Sequence, residues 1–420
     1  EPASQQDCIQ DVHIADGRIV AFGAAPQGFA SKRKIDASGR IVCPGLVDLA
    51  VRLREPGAEH KATIVSETRA AACNGITTLS CPPDTNPVID TPAVAELLQQ
   101  RSEASGMSHI SPLAALTKGL QGEHLAEMAD MKEAGCVGVS NGWQPVHNTR
   151  VLRNALDYAA SCGMTLFVQA QEAWLGRGGC AHEGALSDRL GLPGIPESAE
   201  TIEVARYLLL IEQTGVKAHF CRLSTARAVE MIRQARARGL PVTADVSAHQ
   251  LFLTEMDIAD YQAQCHVYPP LRSQRDRDAL RQGVLDGTIS AICSDHQPHE
   301  PDAKLAPFGD TEPGISALDS FLPLSLRLGH ELGMALPELL SRLTWQPGQI
   351  LGTERGRLQV GMLADICIFD PHLDWQLTPA SMYCHRHNTP FLNWHMQGRT
   401  VCTLLSGRVA FEAAPLQAHA

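Results

Sequence analysis

A chain of 420 residues and 45.3 kDa is too long for a small disulfide-stapled module and suits one large α/β domain with a smaller appendage. With 44% hydrophobic and 19% charged residues, 34 glycines and 26 prolines, it is neither a disordered tail nor a low-complexity polymer. The formal charge of −11, from 35 Lys+Arg against 46 Asp+Glu and with no basic run, argues against a general nucleic-acid or anionic-membrane binder.

Residues 1–43 read as short strands broken by Asp16-Gly17 and Gly39, beginning with Val12-His-Ile-Ala. The stretch from Glu1 to Asp7 lacks the basic and apolar regions of a signal peptide, and no run approaches the ~18 apolar residues of a membrane helix. A cytoplasmic protein is therefore expected. From residue 44 onward, β-branched runs alternate with longer amphipathic stretches. The pattern predicts strands at 47–51, 76–80, 109–113, 136–140, 165–169, 217–223, 242–247 and 289–294. Helical patterns lie between them at 93–105, 124–134, 149–161, 199–214, 226–238 and 275–285, several stopping at Gly135, Gly163, Gly215 or Gly239 as left-handed caps require. Eight βα units in series predict an α/β fold, a (β/α)8 TIM-type barrel over 44–354.

Residues 355–420 return to short strands punctuated by Gly361 and Gly407. The two terminal segments, 1–43 and 355–420, are expected to form one small composite β-rich domain, with 12–20 and 401–410 meeting in a single sheet. The long connections 114–123, 172–200 and 297–315 should cover one barrel mouth, and the glycine-rich stretch 172–190 is expected to be mobile. The thirteen cysteines are scattered without a CxxC pair, which predicts buried free thiols.

Active-site groups of such a barrel come from the C-terminal ends of its strands. Here those ends carry Asp48-Leu-Ala-Val-Arg-Leu-Arg-Glu-Pro-Gly, Ser140-Asn-Gly-Trp, Gln169-Ala-Gln-Glu, His219-Phe-Cys-Arg-Leu-Ser-Thr, Ser247-Ala-His-Gln and Ser294-Asp-His-Gln-Pro-His. The last of these alone looks catalytic.

In this order, and together with Pro44-Gly-Leu-Val-Asp-Leu, Asp84-Thr-Asn-Pro-Val-Ile-Asp, Gly191-Leu-Pro-Gly-Ile-Pro, Pro269-Pro-Leu-Arg and Ala364-Asp-Ile-Cys-Ile-Phe-Asp, the segments resemble the class I dihydroorotases of the amidohydrolase superfamily. Active members hold metal with a His-x-His pair after strand one, an acidic group or modified lysine after strand four, histidines after strands five and six, and an aspartate after strand eight. On this chain the resemblance places those positions at Ala50 and Arg52, Asn141, Gln169, Arg222 and Asp295.

An alanine offers no lone pair, and Arg52 and Arg222 are permanently cationic donors. Amide oxygens such as those of Asn141 and Gln169 are poor zinc ligands. Without a metal, water keeps its bulk pKa and no hydroxide forms near neutral pH. The expectation is no metal, no cofactor and no hydrolysis, with Asp295 a vestige ion-paired to Arg52 and Arg222. By the same resemblance Arg54, Asp84 and His299 are vestigial substrate-binding positions: Arg54 keeps the carboxylate clamp, whereas Asp84 and Tyr268 stand where the family has other residues. Asp84 should confront an anionic substrate with a negative charge.

His249, His296 and His299 are expected to be hydrogen-bonded loop histidines, His60, His182 and His219 packing or surface residues, and Glu55 a salt-bridge partner. The resemblance points further, to inactive homologues that assemble with aspartate transcarbamoylase. The expected role is thus a non-catalytic structural or regulatory subunit of pyrimidine synthesis, partnered by the aspartate transcarbamoylase catalytic chain and self-associating. The alternative is an amidohydrolase with an altered mononuclear metal site built on Asp295 and a histidine. A third idea, compatible with the first, is an anionic effector held by Arg52, Arg54 and Arg222.

Overall fold

The computed structural model of the chain describes residues 1–414. The strands are β1 Val12–Ala15, β2 Arg18–Phe22, β3 Ile41–Pro44, β4 Leu46–Asp48, β5 Ile76–Cys81, β6 His109–Ala115, β7 Gly138–Ser140, β8 Thr165–Val168, β9 Ala181–His182, β10 Gly194–Ile195, β11 Ala218–Phe220, β12 Val242–Ser247, β13 Ala291–Cys293, β14 Ile366–Gln376, β15 His395–Leu405 and β16 Arg408–Glu412. The helices are α1 Ile64–Cys73, α2 Pro92–Ser105, α3 Met128–Glu133, α4 Thr149–Cys162, α5 Ala173–Gly176, α6 Ala185–Leu190, α7 Glu197–Thr214, α8 Ala226–Ala237, α9 Gln274–Asp286, α10 Leu318–Leu332, α11 Leu336–Ser341 and α12 Trp345–Ile350.

Eight parallel strands run β4-β5-β6-β7-β8-β11-β12-β13. The ring closes where Val51 bridges His296: Arg52 N–H donates to the His296 carbonyl at 3.0 Å, and His296 N–H donates to the Ala50 carbonyl at 3.0 Å. This is the TIM-type barrel that the βα alternation predicts. An apolar layer of Val47, Ala50, Leu113, Phe167, Ala291 and Cys293 fills its interior, so the barrel is a packed core and not a pore. Gly138 is required there, because a Cβ would lie 2.5 Å from the Phe167 ring and 2.7 Å from the Thr165 carbonyl oxygen.

At the chain's ends, β3 joins β14, β15 and β16 in one four-stranded antiparallel sheet, giving a β-rich unit drawn from both terminal segments. The expectation that 12–20 and 401–410 share that sheet is corrected. β1 and β2 form a separate hairpin, fastened by the Arg18–Leu363 bridge and by Ile19, which is fully buried with Ile366, Ile368, Cys402 and Leu404. The last six residues of the 355–420 segment lie outside the described ones.

Among the described residues no helix is long and apolar enough to cross a membrane. All thirteen cysteines are free, and ten are buried. The 172–190 stretch, read as mobile, carries α5, β9 and α6, with β9 paired to β10.

Candidate functional site

The strand ends place Arg52, Arg222 and Asp295 together at the barrel mouth, all three buried. Arg222 and Asp295 adopt left-handed backbone, φ 52° and 51°, as does Arg54 at 63°. Such conformations are costly for non-glycine residues and turn the chain abruptly at a strand end.

Arg52 donates from Nε and Nη2 to one Asp84 oxygen, at 3.1 and 2.7 Å, and its Nη1 lies 3.9 Å from Asp295. Arg222 Nε stands 3.5 Å from the same Asp295 oxygen, and its Nη2 donates to the Gln169 side-chain oxygen. The Trp143 ring lies over both cations, 5.1 Å from the Arg222 guanidinium carbon and 6.0 Å from that of Arg52. Tyr268 meets that ring edge-on at 4.5 Å. Asp295 thus faces Arg52 and Arg222 under an aromatic cover, and Asp84, which was not expected in the cluster, joins it through Arg52.

Burial pushes the Asp295 carboxyl above its ordinary range, against the pull of Arg222 and Arg52. For Asp84 burial acts in the same direction, but the Arg52 charge and hydrogen bonds, with help from Arg54 and Arg222, outweigh it and hold the group low. The expectation that Asp84 would oppose an anionic substrate is therefore corrected, since its charge is spent on Arg52.

The other positions are equally engaged. Ala50 belongs to the apolar layer. Asn141 faces its own loop, accepting from the Thr117 hydroxyl at 2.7 Å and donating to the Leu120 and Gln144 carbonyls. Arg54 donates to the Pro298 carbonyl at 3.0 Å and lies 2.9 Å from His299 Nε2. Burial, then the Arg52 charge, lowers it to about 10. His299 also approaches Lys61 at 3.1 Å and the Pro313 carbonyl at 3.0 Å, and burial with Arg54 depresses it to about 2. The three arginines thus direct several of their donors at internal partners, while Arg222 Nε, 3.5 Å from Asp295, is left without a hydrogen bond.

His249 overturns its expectation. It is buried with neither ring nitrogen partnered, and burial and the Arg222 charge push it down to about 3. His296 is hydrogen-bonded as expected: its Nδ1 accepts from Ala317 N–H, which leaves Nε2 to donate to Glu67 at 2.6 Å. His219 is a packing residue tied to Thr243 and Asp245 at 2.8 and 2.9 Å. His182 contacts Arg272, and His60 is exposed. Glu55 pairs weakly with Arg101 at 4.0 Å and accepts from Ile64 N–H at 2.8 Å.

Whether these residues fit the family's metal centre can be tested on their own bonding. The two guanidiniums flank the one carboxylate retained from the ligand set, and a divalent cation beside them meets two fixed positive charges. The residues present do not fit it. Two other groups have ligand-like composition, Glu67–His296–Cys384 and His219–Cys221–Asp245. In both, the imidazole nitrogens already serve hydrogen bonds, and burial raises the Cys221 and Cys384 thiols away from the thiolate that binds metal. His249, His296 and His299 do not converge into such a group among the described residues.

Trp143, which caps the cluster, was not singled out by sequence reasoning; its signal was an aromatic two residues beyond the strand-four ligand position. A cavity of about 290 Å³ remains outside it, walled by Trp143, Tyr268, Gln171 and the Gly176–Gly179 backbone.

The comparisons agree with this architecture. Residues 39–228 match the family described as Dihydro-orotase-like. The chain is 48% identical over 412 residues to a dihydroorotase-like protein of Pseudomonas aeruginosa, covering 98% of this chain and 97% of that one. It is also 48% identical over 409 residues to one of Pseudomonas putida, covering 97% and 96%. A protein named dihydroorotase from Geobacter sp. strain M21 is 41% identical over 416 residues, covering 98% and 97%. Among solved structures, the L-hydantoinase (dihydropyrimidinase) of Arthrobacter aurescens superposes with a TM-score of 0.84 at 24% identity, covering 96% of this chain and 92% of that one, a likeness of fold. With this coverage and this barrel, the chain belongs to the dihydroorotase-like family.

Proposed function

We propose that this chain is a non-catalytic dihydroorotase-like protein, acting as a structural or regulatory subunit in pyrimidine synthesis. One observation carries the reading: the place of the metal centre is taken by Arg52 and Arg222, bound to Asp84, Asp295 and Gln169 beneath Trp143. A cation-activated hydroxide has no ligand set there, and the substrate clamp Arg54 is spent on Pro298 and His299. Thirteen free cysteines suit the reducing cytoplasm, where we place the protein.

The partner follows from resemblance: the catalytic chain of aspartate transcarbamoylase. The test mixes the two chains from one source and measures the mass of the eluting species and the transcarbamoylase rate. A joint complex of defined mass with altered turnover is expected. Separate elution with unchanged turnover would remove this partner from the account.

A further inference from the structure

The cavity of about 290 Å³ outside Trp143 has room for one small molecule and not for a folded segment. Two of its walls are aromatic. Trp143 and Tyr268 meet at 70°, so a flat ring lying along one wall meets the other edge-on, and both arrangements are favoured between aromatic groups. An aliphatic ligand would use neither.

The polar lining is unengaged. The Gln171 amide, the Tyr268 hydroxyl and the Arg177 guanidinium make no hydrogen bond or ion pair with protein among the described residues, and the N–H groups of Arg177 and Gly178 meet no carbonyl. A Cβ at Gly176 would strike the Gln171 amide, so this glycine lets the amide lie against the loop. A side-chain amide offers a donor and an acceptor side by side, the pattern that reads the edge of a nucleobase. Burial pushes the Tyr268 phenol up to about 12, which keeps it a donor at neutral pH.

Arg177 is the one charged residue of the lining. Its guanidinium rests 5.4 Å from the Trp174 ring, which leaves its N–H edges open. The nearby carboxylate of Glu172 is engaged by the N–H groups of Trp174 and Leu175, at 2.9 and 2.8 Å. Behind Trp143 the charges of Arg52 and Arg222 face those of Asp84 and Asp295. The cavity thus presents a single unpaired cation on a chain of net charge −11, beside glycine backbone that a ligand can approach closely. A guanidinium with adjacent free N–H groups suits a phosphate.

We infer that this cavity binds a nucleoside monophosphate, with its base in the Trp143–Tyr268 corner, the base edge on Gln171, and the phosphate on Arg177 and the Gly178 backbone. Arg54, the family's carboxylate clamp, is not in the lining, so this is not the family's substrate held in its usual place. The inference goes beyond the function proposed above and is tested on this chain alone, so its failure leaves the partner reading untouched.

The experiment titrates the full chain with uridine 5′-monophosphate and, separately, adenosine 5′-monophosphate, by calorimetry and tryptophan fluorescence. Uridine, adenosine and inorganic phosphate are the controls, and melting verifies the fold of each variant. Saturable binding of at least one monophosphate with a change in fluorescence is expected, and the one that binds shows whether the corner takes a one-ring or a two-ring base. Each control should bind at least roughly tenfold more weakly. Arg177→Gln, at an exposed position, should weaken the monophosphate roughly tenfold at unchanged melting temperature, and Tyr268→Leu by a similar factor. A folded Arg54→Gln should bind as the parent does. Binding of neither monophosphate, binding indifferent to both Arg177→Gln and Tyr268→Leu, or binding lost in folded Arg54→Gln would overturn the inference.

Discussion

At the scale of single residues, the barrel mouth sets buried carboxylate against buried guanidinium. Asp295 is fully enclosed, and its nearest compensating charge is Arg222. Arg222→Ala would leave that carboxylate with Arg52 alone, at 3.9 Å. Removing one member of a buried pair strands the other, so we expect a loss of about 3 kcal/mol in urea unfolding. Adding Asp295→Asn should recover part of it, because the stranded charge disappears; a double variant no more stable than Arg222→Ala would contradict the cluster.

Asp48, fully buried on the first barrel strand, is raised to about 6, chiefly by burial. A carboxyl whose folded pKa exceeds its unfolded value supports the fold fully below the unfolded value and loses that contribution as pH rises through the folded one. Between about pH 4 and pH 8, Asp48→Asn should therefore gain on the parent by roughly 2 kcal/mol, measured as the difference of their unfolding free energies. A difference constant with pH would show that Asp48 is not strained in this way.

At the scale of elements, strand spacing fixes what fits between strands. Gly138→Ala pushes a Cβ into the Phe167 ring and the Thr165 carbonyl, at 2.5 and 2.7 Å, and the carbonyl cannot swing away without breaking the β7–β8 ladder. A cost of about 2 to 3 kcal/mol is expected, read as a lower urea midpoint. Gly163→Ala, at an open cap with φ 63° and its nearest neighbour at 3.6 Å, should cost about 1 kcal/mol.

All eight barrel strands were legible because β-branched runs recur between amphipathic stretches, whereas Arg52, Arg222 and Asp295 were singled out by the resemblance to dihydroorotases. Less regular signals were lost. Helix α10 carries Pro323 in its interior, and α1 opens with β-branched Ile64 and Val65, so neither was read as helix. The Arg52–Asp84 pair joins residues 32 apart on neighbouring strand ends, and the unpartnered imidazole of His249 is a property of packing. Neither leaves a mark in local pattern.

At the scale of the whole molecule, the family's barrel carries Arg52, Arg222, Asp84 and Asp295 at its mouth. β3 runs directly into β4 through Gly45, whose missing Cβ leaves room for Thr77, so the terminal sheet and the barrel are fastened at their seam. The central claim is that Arg52, Arg222, Asp84 and Asp295 stand in place of a metal centre. It is tested most directly by the metal content of the purified chain, measured by mass spectrometry, with dihydroorotase turnover assayed on the same sample after added Zn²⁺. The account predicts neither stoichiometric metal nor turnover above background. One or more tightly bound zinc ions with measurable turnover would contradict it and show that the chain builds its centre from other residues.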